Sequence, residues 1–415
     1  MNVFNALKDK VIKRTALVGT IGIGYVGRAF GEGTAEAGYN VIGYGRRRGP
    51  VAEINKLHIS RFHATTSTKN LAGCDIIAIC VPTPVLEDKT PDLTAVREAA
   101  ASVARILRPG QLIVLESSVA PGTTRKVVLP ILQETGLTVE EDFFLAFSPE
   151  RIDPGNQNFP FTKIPKVVAG YGERSTSLVY EFYSRIVTLA YAVSSLETAE
   201  MAKILENTFR LVNISLVNEL KTYTSAIGVD IWEVINAAKT KPFGFLAHYP
   251  GPGIGGHCIP VDPHYLREDA ERLGIPLTLI SSASSVNDRQ PHQVAEKARQ
   301  LLQEITPAAS SARVMLLGIA YKRNVNDLRE SPAFPLWRAL EKEQISVSYH
   351  DPYIPRYNGS RSMPLTKRVI SQHDLMIVVT DHSDIPYQKL LESGVSILDT
   401  RGVYNGTKRE NLYHV

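Results

Sequence analysis

Apolar positions along this chain fall into two periodicities. In the first third, short continuous apolar runs at 16–21, 39–44, 75–81, 111–116 and 143–147 read as buried strands. Helix-period stretches separate them, one running up to Ala37, where Gly38 stops the pattern, and one over 92–107. Strand and helix in alternation predict a parallel sheet covered on both faces, with polar loops at the carboxyl ends of its strands. The middle of the chain changes character. A helical pattern over 196–228 is too long for an ordinary surface helix and predicts a connecting spine; further helices are predicted over 231–239, 265–273 and 278–302. Residues 306–312, TPAASSA, are linker-like. Strands then return at 313–317, 346–350, 375–379 and 395–398, with a helix over 332–343. The expectation is an α/β chain in three parts, 1–195, a helical 196–305 and 306–415, the outer two doubly wound.

Composition adds bounds. With 415 residues, 44% hydrophobic and 21% charged, the chain is an ordinary globular protein of two or three domains. A net charge of +4 gives no ground for a nucleic-acid partner. Cys74, Cys80 and Cys258 build no disulfide framework, and no metal centre is expected of them. The basic, mildly amphipathic stretch 1–15 lacks the apolar core and cleavage site of a signal peptide, so a cytoplasmic protein is expected. No apolar run reaches the length of about 18 residues that a membrane span needs.

The first strand runs into Gly22-x-Gly24-x-x-Gly27, and a helix follows. Glycines at the tight turn, at the closest backbone approach and at the helix–strand contact suit a dinucleotide diphosphate seated on a helix N-terminus. The block is therefore Rossmann-like, and the last third repeats its alternation. An acidic residue about 20 positions on would hold the adenosine ribose of NAD. Here that position falls near Gly45, followed by Arg46, Arg47 and Arg48. Either these arginines accommodate the 2′-phosphate of NADP, or they form a solvated charge run beside NAD; both readings stand. Thr83 and Ser118 follow apolar strands, where hydroxyls either meet ligand oxygens or form turns.

The stretch YPGPGIGGHCIPVDPHYL, 249–266, is unlike the rest. Its proline and glycine density excludes a helix or central strand and predicts a shaped loop around Cys258. With His257 and Asp262 beside it, this thiol is a candidate nucleophile. The other reading, a small buried hydrophobe, suits Cys74 and Cys80 better, since they lie at and inside an apolar strand. On the long helix, Lys203 and Asn207 stand four apart and share one face.

Taken in order, GIGYVG, VPTP, SSVAPGTT, FSPERIDPGN, AKILENTF, GPGIGGHCIPVDP and GIAYKRNVNDLRESP resemble the nucleotide-sugar 6-dehydrogenases, which oxidise UDP-hexoses to uronic acids. The resemblance covers nearly the whole chain. SPERIDPGN and GGHCIPVDP resemble the branch acting on UDP-N-acetylhexosamines, with UDP-N-acetylglucosamine favoured and UDP-N-acetylmannosamine second; UDP-glucose enzymes tend to carry lysine where this chain has Val261. The resemblance implies NAD, a homodimer or higher homo-oligomer, and a four-electron oxidation through a thiohemiacetal and thioester on Cys258. It further implies Lys203 and Asn207 as oxyanion partners, Asp262 holding Lys203 or a water, and Glu150 activating water on the thioester. Gly22, Gly24, Gly27, Arg46, Thr83, Ser118 and Arg329 would meet the cofactor. Arg151, Phe243, Tyr249, Gly255, Lys322 and Arg401 would meet the UDP-sugar, while His257 is expected to shape the loop. Two other readings remain. One is a two-electron hydroxyacid dehydrogenase, against which Cys258 and residues 318–401 speak; the other is a nucleotide-sugar-binding protein without activity.

Overall fold

Eight strands make the first sheet: β1 (Leu17–Ile21), β2 (Asn40–Tyr44), β3 (Phe62–Thr65), β4 (Ile76–Ile79), β5 (Leu112–Leu115), β6 (Phe144–Phe147), β7 (Lys166–Gly170) and β8 (Ala190–Ala192). The computed structural model that shows them describes residues 2–86, 88–153, 155, 156, 158–306 and 312–414, so most of the predicted linker lies outside the described residues. The strand order is β3-β2-β1-β4-β5-β6-β7-β8. Neighbours run parallel except β6 and β7, which are antiparallel with Phe147 opposite Ala169. Order reverses between β1 and β4, the switch point at which such sheets bind ligands.

Every residue of β4 and β5 is buried, because helices cover both faces. Alternation sorts them: Ile76, Ala78, Leu112 and Val114 pack with Phe30, Tyr39 and Phe182, while Ile77, Ile79, Ile113 and Leu115 pack with Val96, Val103 and Leu132. The basic N-terminal stretch is a helix, Val3–Ile12, capped by Asn2 and burying Leu7 and Val11. Its Lys10 Nζ lies 2.7 Å from Asp75 Oδ1. Neither that helix nor β3, β7 and β8 is among the elements the sequence predicts.

By compactness the chain forms two units, Met1–Glu206 with His264–Leu273, and Asn207–Pro263 with Gly274–Val415. The cut falls inside the long helix, Leu196–Ala226. In the second unit, β9 (Arg313–Leu317), β10 (Ser346–His350), β13 (Leu375–Val378), β14 (Ser396–Asp399) and β15 (Leu412–His414) form an all-parallel sheet, order β10-β9-β13-β14-β15; the hairpin β11 (Arg356–Tyr357) and β12 (Ser360–Arg361) stands apart. This order too has its switch point, between β9 and β13. Helix Thr278–Ile305 buries Val294, Ala298, Leu301 and Leu302 on that core. Leu211, Ile259 and Ala283 pack together, which ties the cysteine loop to two helices of this unit.

Candidate active-site elements

In the first unit the three glycines differ in what they do. A Cβ at Gly22, where φ is +94°, would lie 2.4 Å from the Cys80 carbonyl oxygen, and one at Gly27 would lie 1.7 Å from that of Gly22. These two are demanded by the protein's own packing. Among the described residues Gly24 has nothing within 4 Å of such a Cβ, and it caps helix Tyr25–Glu36 without a side-chain hydrogen bond. Bare backbone and unclaimed N–H groups at a helix start fit a dinucleotide diphosphate. Arg46 Nη1 is 3.0 Å from Glu98 in an exposed ion pair, and Arg47 caps helix Arg48–Lys56. Buried Thr83 lends its carbonyl to the Tyr265 hydroxyl at 2.5 Å. Ser117, not Ser118, ties the β4 and β5 ends together: its Oγ donates to Val81 O at 2.7 Å and accepts from Val81 N at 3.0 Å.

Glu150 sits over a buried charge cluster that the sequence did not reveal. Its Oε1 accepts from the backbone N of Arg151, at 2.6 Å, and of Ile152. Its Oε2 is buried and makes no hydrogen bond among the described residues, yet lies 3.5 Å from Lys166 Nζ. Lys166 Nζ donates to Glu116 Oε2 at 2.6 Å and to Pro149 O at 3.2 Å, and Glu116 also receives the Tyr183 hydroxyl. Burial opposes the charge on Lys166, but the facing Glu116 and Glu150 carboxylates overcome it and raise its pKa. Burial also lifts Glu116 above its ordinary range, against the pull of Lys166. Two carboxylates thus share one ammonium. Arg151 is engaged as well, with its Nη2 2.5 Å and Nε 3.2 Å from the Glu206 carboxylate.

On the long helix Lys203 is 8% exposed, one turn from Asn207 at 4%. Glu200, one turn the other way and fully buried, accepts from Gly122 N at 2.5 Å, Thr124 N at 2.8 Å and Thr124 Oγ1 at 2.6 Å. Burial outweighs these bonds and pushes its carboxyl up to about 7.

In the second unit Cys258 is half-buried in an irregular loop, unlike the buried Cys74 and Cys80. Its Sγ lies 3.1 Å from His257 Nδ1. The loop leads directly into helix Asp262–Arg272, which starts three residues before the predicted helix; Pro263 is tolerated there because first-turn N–H groups have no intrahelical partner. Asp262 Oδ2 accepts from Asn207 Nδ2 at 2.6 Å, so Asn207 is a partner of the aspartate beyond the two expected. Gly255 and Gly256 let the loop lie on Tyr321, whose side chain a Cβ at either would approach within 2.8 Å. Gly256 N donates to Arg329 O at 3.0 Å, and the Arg329 guanidinium sits on Asp327, with Nη2 to Oδ2 at 2.6 Å. Asp327 raises the arginine's pKa, and the Cys258 sulfur adds a smaller push. Arg329 therefore braces the cysteine loop.

Tyr249 stacks on Trp232 with ring centroids 5.4 Å apart, and its hydroxyl donates to Asn236 Oδ1 at 3.1 Å. Phe243 is exposed and Lys322 half-buried. Arg401 is held by its Nε on Val379 O at 2.7 Å. Among the described residues no helix is long and apolar enough to cross a membrane, and no group of three or more His, Cys, Asp or Glu could hold a metal ion.

Comparison with known proteins finds three matches to UDP-glucose/GDP-mannose dehydrogenase family models: the NAD binding domain over 54–187, the central domain over 197–289 and the UDP binding domain over 315–406. A UDP-N-acetyl-D-glucosamine 6-dehydrogenase of Pseudomonas aeruginosa is 32% identical over 88% of this chain and 90% of its own. A UDP-N-acetyl-D-mannosamine dehydrogenase of Pyrococcus horikoshii is 31% identical over the same shares, 88% and 90%. The solved structure of a UDP-D-ManNAc dehydrogenase from Pyrococcus horikoshii matches with a TM-score of 0.88 at 29% identity, covering 96% of this chain and 99% of that one.

Proposed function

Because the chain belongs to the UDP-glucose/GDP-mannose dehydrogenase family and is an NAD-dependent oxidoreductase, we propose that it oxidises carbon six of a UDP-N-acetylhexosamine, UDP-N-acetylglucosamine foremost, to the uronic acid. The observation that carries this reading is the setting of Cys258: half-buried, beside the His257 ring, in a glycine-rich loop that ends at the Asp262–Asn207 pair. Two relatives named for UDP-N-acetylhexosamines support the substrate class.

The chemistry explains the thiol. An alcohol gives up a proton and a hydride readily, but an aldehyde carbon expels hydride only after a nucleophile has added. Thiols are strong nucleophiles even when only a few per cent is thiolate. Cys258 Sγ adds to the aldehyde carbon, and the carbonyl pair becomes an alkoxide. Loss of hydride leaves a thioester, and water then breaks the carbon–sulfur bond to release carboxylate and thiol. Bound NAD supplies the hydride acceptor for each of the two oxidations, with Gly22, Gly24 and Gly27 as the residues that would hold it.

Asp262 takes one N–H of the Asn207 amide and fixes its plane, leaving the amide a second N–H to give. In this reading Asn207 and Lys203 stabilise the alkoxide, about 3 kcal/mol for one well-placed donor. His257 offers a proton acceptor for the thiol, a role beyond the loop-shaping one expected. Glu150 activates the water that cleaves the thioester. Homo-oligomerisation belongs to the same reading: Phe209, Leu216, Leu220, Tyr223 and Ile227 leave an exposed apolar stripe on the long helix, and light scattering that finds only monomer would remove it.

The test is a panel of UDP-sugars with NAD and NADP, following nicotinamide absorbance. Two NADH per UDP-N-acetylhexosamine are expected from the wild type and no acid from Cys258→Ala. Full four-electron turnover by the alanine variant would refute covalent catalysis, and one NADH per substrate would point to a simple alcohol dehydrogenase.

A further inference from the structure

The second unit holds a buried cation that the chemistry above leaves unused. Lys221, on the long helix, is 3% exposed, and among the described residues its Nζ finds only Gln290 Oε1, at 3.4 Å. One turn away on the same face, Asn218 is fully buried. Its Oδ1 accepts from Gly251 N at 2.9 Å, which fixes the orientation of the amide. Its Nδ2 is then left buried with no hydrogen-bond partner among the described residues. Gly251 lies against Arg401: a Cβ there would stand 2.7 Å from Nη1, so the guanidinium rests on bare backbone.

We propose that Lys221, Asn218 and Arg401 form a subsite that takes an acceptor oxygen of the uridine diphosphate portion of the substrate, foremost a phosphate oxygen. This rests on the reading that a UDP-sugar is the substrate. The three side chains present many donors to one place. An ammonium has three donors, and a buried cation or amide left unpaired costs free energy unless an acceptor arrives. Arg401 belongs to the stretch matched by the UDP binding domain, and Lys221 to the central domain. The charged group facing Lys221 is Arg401, which in turn feels Asp381, Asp399 and Tyr387; among the described residues no carboxylate offsets Lys221 itself. Burial first, and Arg401 second, bring the lysine down to about 8. It is charged below that pH and neutral above it, and an incoming oxyanion restores the charge.

The test uses the full chain and calorimetric binding of UDP, uridine and NAD to wild type, Lys221→Met and Lys221→Arg. Lys221→Met should weaken UDP about tenfold to a hundredfold, the value of a hydrogen bond to a charged group, with NAD unchanged and Tm equal or higher. Wild-type affinity for UDP should fall as pH rises through 8, whereas Lys221→Arg should hold its affinity there. Loss for UDP alone places a phosphate at the lysine; equal loss for uridine places a uracil or ribose oxygen there, and both support the subsite. A Lys221→Met protein that binds UDP like the wild type overturns the proposal. So does one that loses Tm, NAD and UDP together, because the lysine then serves only the fold. A wild type that binds no UDP overturns the substrate reading and this subsite with it.

Discussion

Glu200→Gln isolates one buried carboxylate and predicts an unusual pH dependence. The wild-type side chain is enclosed and faces three donors from residues 122–124. Burial raises its carboxyl from 4.5 to about 7. Between those pH values the folded protein holds a proton that the unfolded chain has released, so stability from this group is complete below 4.5 and lost as pH rises through 7. At about 1.4 kcal/mol per pH unit, the loss is about 3 kcal/mol. Glutamine is a neutral analogue of the protonated form: its Oε1 can keep both bonds from Thr124, while its Nε2 sets a donor against the Gly122 N–H, a cost that does not change with pH. The variant should therefore start below the wild type near pH 4.5, gain about 3 kcal/mol on it as pH rises to 7, and hold that gain above. For a unit of roughly 200 residues, 3 kcal/mol corresponds to about 6–12 °C in Tm. Calorimetric scans of both proteins across this range read the difference, in which every other titrating group cancels. A gap that does not change with pH, or one that grows in favour of the wild type, would refute the reasoning, because the three donors would then outweigh burial.

Two further outcomes follow from the same unit. Lys166→Met leaves Glu116 and Glu150 without their shared cation and should cost about 3–5 kcal/mol in thermal unfolding, the value for breaking a buried pair; adding Glu116→Gln should recover part of it, and no recovery would mean that packing, not charge, was lost. Gly24→Ala should leave Tm within about 1 °C, since its Cβ meets nothing, yet weaken NAD binding, whereas Gly27→Ala should lower Tm sharply because its Cβ would meet Gly22 O.

Much of the fold was legible because its signals are local. Runs such as Ile76–Ile79 are apolar at every position, as a strand buried on both faces requires, and the glycine turn sits between a strand and a helix. The cysteine loop announced itself by composition. Lys166 did not. It opens the run KVVAG and reads as a polar strand end; its ammonium is enclosed with Glu116 and the rings of Phe161 and Tyr183, neighbours that periodicity does not report. Glu200 and Lys221 likewise read as polar positions of a long helix, where most such positions meet water. Their burial comes from what packs on the helix, which periodicity cannot report. Asn2 as a helix cap was within reach, since asparagine before an amphipathic run is a start signal.

The reversal of direction between β6 and β7, which β8 follows, has a larger effect than the length of these strands suggests. In a sheet of one direction, only the chain leaving each strand can furnish the ligand-facing rim, and whatever enters a strand does so on the far side. Because β7 opposes β6, its entrance is on that rim, and extending their register sets residue 166 across from residue 150. The excursion over 148–165 leaves and returns at the same edge. It could lengthen or shorten without pulling the ammonium from the carboxylate it faces, so the segment can vary while the charge balance beneath it stays fixed.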